Sequence, residues 1–85
     1  MYQVLLKKSA GKELGKIPAP HLSRIAKQLD RLSHNPLPSG CKKLVSVGRP
    51  FWRVRVGDYR IIYIIDQLSK VVEIYRIGHR KSVYK

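Results

Sequence analysis

At 85 residues the chain is shorter than a usual domain, so it reads as one domain spanning residues 1–85, without room for a separate regulatory or substrate-binding unit. Lys and Arg number 18 against 5 Asp and Glu, a formal net charge of +13, while 44% of residues are apolar and spread along the chain; this predicts a folded core and a polyanionic partner, nucleic acid first, and argues against a disordered basic tail. Cys41 is the single cysteine, His21, His34 and His79 lie far apart, and no apolar run is long enough for a signal peptide or a membrane span, so the expectation is a cytoplasmic protein with no disulfide, no metal or other cofactor and no membrane partner.

Tyr2 to Leu6 reads as a first strand, ended by Lys7 and Lys8. Ser9 is the expected N-cap of a short helix that carries Ala10, Leu14 and Ile17 at i, i+4 and i+7 and is weakened by Gly11 and Gly15. Pro18 and Pro20 break it. From His21 to about Ser33 an amphipathic helix places Leu22, Ile25, Ala26, Leu29 and Leu32 on one face, with Arg24, Lys27, Gln28 and Arg31 opposite. Asn35, Pro36, Pro38, Ser39 and Gly40 form a turn-rich loop. The periodicity then becomes that of strands: Lys42 to Val47, a break at Gly48 to Pro50, Phe51 to Val56, a turn at Gly57 and Asp58, Tyr59 to Asp66, a turn at Gln67 to Lys70, and Val71 to Ile77, ended by Gly78. A short basic tail, His79 to Lys85, follows. The order βααββββ predicts an α+β domain with a two-helix hairpin packed on a mostly antiparallel sheet.

Side chains alternate along a strand, so Trp52, Val54 and Val56 share one face and Phe51, Arg53 and Arg55 the other. A two-residue loop at Gly57 and Asp58 sets Val56 opposite Tyr59, Arg55 opposite Arg60 and Arg53 opposite Ile62. Trp52, Tyr59 and Tyr63 then belong to the core side, and Arg53, Arg55 and Arg60 gather on the open face. Like charges directly across a sheet cost stability unless water or an anion screens them, and that concentration points to phosphate. Arg76 shares the parity of Val72 and Ile74, but both faces of its strand are largely apolar and its direction stays open.

Three segments, Asn35-Pro-Leu-Pro-Ser-Gly-Cys-Lys-Lys-Leu44, Trp52-Arg-Val-Arg-Val-Gly-Asp-Tyr-Arg-Ile-Ile-Tyr63 and Ile77-Gly-His-Arg-Lys-Ser-Val-Tyr84, resemble the RelE/ParE toxin superfamily, in order and over essentially the whole chain. The resemblance implies a RelE-like fold and a type II toxin held in check by a cognate antitoxin with an acidic segment. Its RelE branch implies a ribosome-dependent endoribonuclease (an mRNA interferase) that cuts mRNA in the ribosomal A site, inhibiting translation. The family's active-site positions fall on Arg53, Arg55, Arg60, Arg80 and Tyr84. Some RelE members carry lysines where Arg53 and Arg55 stand; arginine stays charged, which argues against a general-base role for either.

Cleavage without a metal needs cations for the phosphoryl charge, an acceptor for the 2′-OH proton and a donor to the leaving oxygen. Arg53, Arg55, Arg60 and Arg80 suit the first task. Tyr84 and His79 are the candidates for orientation or proton transfer, with the ribosome as a third. Lys42, Lys43, Arg49 and Lys81 read as backbone contacts to ribosomal RNA or to antitoxin carboxylates. Two other readings stay open, a ParE-like inhibitor of DNA gyrase and a non-catalytic basic nucleic-acid-binding domain. The oligomeric state formed with the antitoxin is not set by the sequence.

Overall fold

The computed structural model describes residues 1–44, 48 and 50–79. Its elements are β1 (Gln3–Leu6), α1 (Lys8–Leu14), α2 (Ala19–His34), β2 (Lys42–Leu44), β3 (Phe51–Val56), β4 (Tyr59–Asp66) and β5 (Val71–His79). The strands form one five-stranded sheet in the order β1-β5-β4-β3-β2. β1 runs parallel to β5, and the other three pairings are antiparallel. This is the expected α+β arrangement. Positions 45–47 of the strand expected over Lys42 to Val47 lie outside the described residues, as do Arg49, Arg80, Lys81 and Tyr84.

The continuous apolar run of β4 fits its place at the middle of the sheet, between β3 and β5. Ile61 and Tyr63 are fully buried toward the helices, and Ile62 and Ile64 are buried on the other face. The core between helices and sheet joins Ala10, Ile17, Ile25 and Leu32 to Val54, Ile61, Tyr63, Val72, Ile74 and Ile77, with Leu22, Leu29, Trp52, Val56 and Tyr59 packed around them. Each large aliphatic side chain buried there contributes about 1.5–3 kcal/mol. A smaller apolar cluster sits on the open face, where Phe51 and Tyr75 meet edge to face with centroids 4.9 Å apart.

Several local expectations change. Lys7, in extended conformation, is the N-cap of α1 and makes no side-chain cap bond. Ser9 instead donates its Oγ hydrogen to the Tyr75 carbonyl at 3.0 Å. The reason is an edge left open: β1 stops at Leu6, opposite Ile74, and among the described residues the rest of β5 has no strand beside it on that side. Lys7 N–H donates to Ile74 O at 2.8 Å, Ser9 caps the Tyr75 carbonyl, and the Glu13 carboxylate accepts the Ile77 N–H at 3.0 Å. Helix α1 thus continues, by its side chains, the ladder that β1 leaves unfinished.

Pro20 does not delay α2, which starts at Ala19 with Pro18 as N-cap. A proline in the first turn gives up an N–H that has no helical partner there. Ala26, expected on the buried face, is exposed, and Leu22, Ile25, Leu29 and Leu32 carry the packing. Gly78 does not end β5: the pairing with β4 continues through Arg60↔Gly78 to Tyr59↔His79. Strand β5 also changes parity. Ile62 faces Arg76 but Tyr63 faces Ile74, so Tyr75 is an extra residue, a bulge, and Val72 and Ile74 before it and Ile77 after it all reach the core.

Candidate nucleic-acid interface

The β3–β4 hairpin has the register that a two-residue loop dictates: Val56↔Tyr59, Arg55↔Arg60, Val54↔Ile61, Arg53↔Ile62 and Trp52↔Tyr63. Gly57, with φ +61°, supplies the left-handed conformation required at the first loop position, which a side chain would strain. Arg53, Arg55 and Arg60 therefore stand together on the sheet face turned away from the helices. Strand β2 adds to them, because Lys42 pairs with Arg53 and shares its face. Arg55 is exposed, and Arg53 and Arg60 are half-buried, so their guanidinium groups are carried on a backbone fixed by hydrogen bonds on both sides. Planar forks held in this way meet phosphate oxygens with little reorganisation.

Other predicted site residues are placed elsewhere. Lys43 pairs with Trp52 and so shares the helix-side face. His79 pairs with Tyr59 across β4 and β5, and their rings meet edge-on with centroids 5.9 Å apart. The face that carries Arg60 carries Gly78 instead, so His79 does not join the arginines. Arg49, Arg80, Lys81 and Tyr84 lie outside the described residues.

Arg76, whose direction the sequence left open, faces Ile62 on the arginine side because of the bulge, yet it belongs to the scaffold. Its Nη2 lies 3.0 Å from Glu13 Oε2, and its Nε donates to both oxygens of that carboxylate at 3.1 and 3.2 Å. These hydrogen bonds hold the guanidinium above its ordinary pKa. Glu13 thereby neutralises one arginine while it accepts the Ile77 N–H.

A second group of cations was not singled out in the sequence. Arg24, Lys27, Gln28 and Arg31, read there as the solvated face of a helix, form with Arg55, Val56 and Gly57 the walls of a cleft of about 260 Å³. Their spacing made one stripe visible, but its strand neighbour depends on how α2 lies across the sheet. At the head of the stripe His21 stacks in a tilted contact on Tyr59, with centroids 5.2 Å apart. Among the described residues no three His, Cys, Asp or Glu side chains come together as metal ligands. No helix among them is long and apolar enough to cross a membrane.

A basic face built on a β-hairpin, on a sheet backed by two helices, defines a class of small α+β proteins within which comparison is informative. Over residues 4–84 the chain matches the family described as ParE toxin of type II toxin-antitoxin system, parDE, and it belongs to the RelE/ParE superfamily of toxins. It is similar to a chain in the archaeal RelE–RelB complex from Pyrococcus horikoshii OT3, with 32% identity, a TM-score of 0.82 and coverage of 95% of this chain and 97% of that one. It is equally similar in structure to a chain of the toxin-antitoxin complex RelBE2 from Mycobacterium tuberculosis, at 31% identity, TM-score 0.82, and 93% and 98% coverage. The RelE1 toxin candidate of Methanocaldococcus jannaschii is 26% identical over 87 residues, 99% of this chain and 96% of that protein. The general role that follows is that of a toxin of the type II class.

Proposed function

We propose that the protein is a ribosome-dependent endoribonuclease that acts in the cytoplasm, cuts mRNA in the A site, and is neutralised by a cognate antitoxin with an acidic segment. The observation that carries this reading is the convergence of Arg53, Arg55 and Arg60 of the β3–β4 hairpin with Lys42 of the adjoining β2 on one face of the sheet. Support for an antitoxin comes from the two complexes named above, in each of which the similar chain is part of a toxin–antitoxin pair.

In the reaction the 2′-oxygen attacks the adjacent phosphorus in line, its proton passes to a base, and the bond to the 5′-oxygen breaks as that oxygen takes up a proton. The products are a 2′,3′-cyclic phosphate and a 5′-hydroxyl end. Charge grows on the non-bridging oxygens at the crossing point, and Arg60, with Arg53 and Arg55, stabilises it there more than in the ground state. Arg80 serves the scissile phosphate or the leaving side. Tyr84 orients a base or accepts the proton. His79 pairs with Tyr59 on the helix side of the sheet, away from the arginines, which argues against it as the proton acceptor. No step asks a metal of the chain.

The test is addition of the protein to a translating extract, with message ends mapped by primer extension. New ends are expected with the wild type. Arg60→Ala and Arg80→Ala should each lower the cleavage rate by roughly 10²-fold, the scale of losing one charge-stabilising donor. Uncut message with undiminished translation sinks the reading. One observation favours a second one: the matching family is described as ParE toxin. A ParE-like gyrase inhibitor would block DNA supercoiling in a purified assay and leave message intact.

A further inference from the structure

The stripe on α2 lies beside the arginine face, and Arg55 belongs to both: it faces Arg60 across the hairpin and lines the cleft with Arg24, Lys27 and Arg31. We propose that this cleft, between α2 and the β3–β4 hairpin, is a second binding track for RNA phosphates, taking the strand onward from the arginine face over Arg55. This rests on the RNA reading of that face.

Five observations carry it. Arg24, Lys27, Arg31 and Arg55 are all exposed, and among the described residues that line the cleft none is acidic. Asp30, the carboxylate of α2, does not line the cleft: it lies 3.9 Å from His34 and lines an adjoining groove that shares Lys27 and Arg31 with the cleft. The cations recur about once per helical turn, near 5 Å apart along the axis, which suits a ligand whose charges are also evenly spaced. Arg24 lies against the hairpin turn, its Nη1 3.4 Å from where a Cβ on Gly57 would stand. The rings of His21, Tyr59 and His79 at the head of the stripe supply an aromatic surface of the sort on which bases stack.

An acidic peptide fits less well. Stable peptide docking relies on apolar anchors in pockets, and Val56 is the one aliphatic side chain among the described residues that line this cleft. Phosphates need no such anchor, because counterion release supplies the affinity.

The experiment compares Arg24→Gln/Lys27→Gln/Arg31→Gln with an equal loss of charge on α1 and its flank, Lys8→Gln/Lys12→Gln/Lys16→Gln. Binding of a fluorescently labelled single-stranded oligouridine to the full chain is followed by anisotropy over a salt series. All six positions are exposed, so both variants should keep the wild-type urea midpoint. The cleft variant should bind roughly tenfold more weakly, and its log K against log salt slope should be shallower by about 2, the value for three phosphate contacts on a single strand. The α1 variant should change much less.

Equal losses in the two variants, or none in the cleft variant, overturn the proposal. So does a cleft variant that keeps oligouridine affinity and loses affinity for an acidic antitoxin-derived peptide, which would make the cleft a protein site. Cleavage is scored separately, by Arg60→Ala in the extract. A protein that binds through the cleft and cuts nothing would refute the catalytic reading alone.

Discussion

Two arginines on one face of the sheet have opposite fates because of their neighbours. Arg76 is clasped by Glu13 with four N···O approaches inside 3.3 Å shared between one guanidinium, one backbone N–H and one carboxylate. Arg60 stands opposite Arg55. Arg76→Ala is therefore expected to cost stability, about 1–2 kcal/mol for charge-assisted bonds that are partly exposed and so screened, with little effect on cleavage in the folded protein. Arg60→Ala should instead lower cleavage in the folded protein, and urea unfolding beside primer extension separates the two effects. A second residue-scale expectation concerns Tyr63, whose hydroxyl donates to the Pro36 carbonyl at 2.8 Å and pins the loop after α2 to β4. Burial is the main cause that raises its phenol above the ordinary range, and the neighbouring Cys41 thiol adds to it. The folded phenol keeps its proton where an unfolded tyrosine loses it, near pH 10. Its contribution is whole below that pH and is lost as pH rises beyond it. Wild-type stability should thus fall more steeply above about pH 10 than that of Tyr63→Phe, which at neutral pH should be about 1 kcal/mol less stable through loss of one hydrogen bond.

At the scale of elements, the weak point among the described residues is the edge of β5 beyond Ile74. An unpaired edge is a template for another chain, and here a seven-residue helix shields it with one serine and one glutamate. Glu13→Ala exposes that edge and leaves the Arg76 guanidinium without its carboxylate. It should lower the urea midpoint by an amount equal to about 2 kcal/mol and increase aggregation at the midpoint. Glu13→Gln keeps an acceptor for the Ile77 N–H and should cost about half as much; equal losses would show that the ion pair alone matters. The hairpin was legible beforehand because a loop of fixed length sets register by geometry. The α1 cap was not. Ser9 fitted the cap rule, which is local, but a carbonyl from a residue 66 positions away claimed its hydroxyl.

Over the whole molecule the charge of +13 opposes compaction. Added salt should raise the melting temperature while it weakens RNA binding, because screening relieves self-repulsion and removes the counterion gain together. A relief of about 1 kcal/mol corresponds to a rise of roughly 4–8 °C in a domain of this size. Thermal scans from low to physiological sodium chloride check it, and a melting temperature that falls with salt would mean that attractive ion pairs outweigh the repulsion.

Composition and strand periodicity by themselves determined a basic α+β chain, the order of its elements and the meeting of Arg53, Arg55 and Arg60, because alternation and a two-residue loop act over a few residues. The distribution of the cations between scaffold and surface was decided only in three dimensions. A bulge at Tyr75 turned Arg76 toward the arginine face, Glu13 reached it across 63 positions of sequence, and the lie of α2 brought Arg24, Lys27 and Arg31 beside Arg55. Local rules fix which way a side chain leaves its own element, whereas its partner across a cleft depends on how the elements pack.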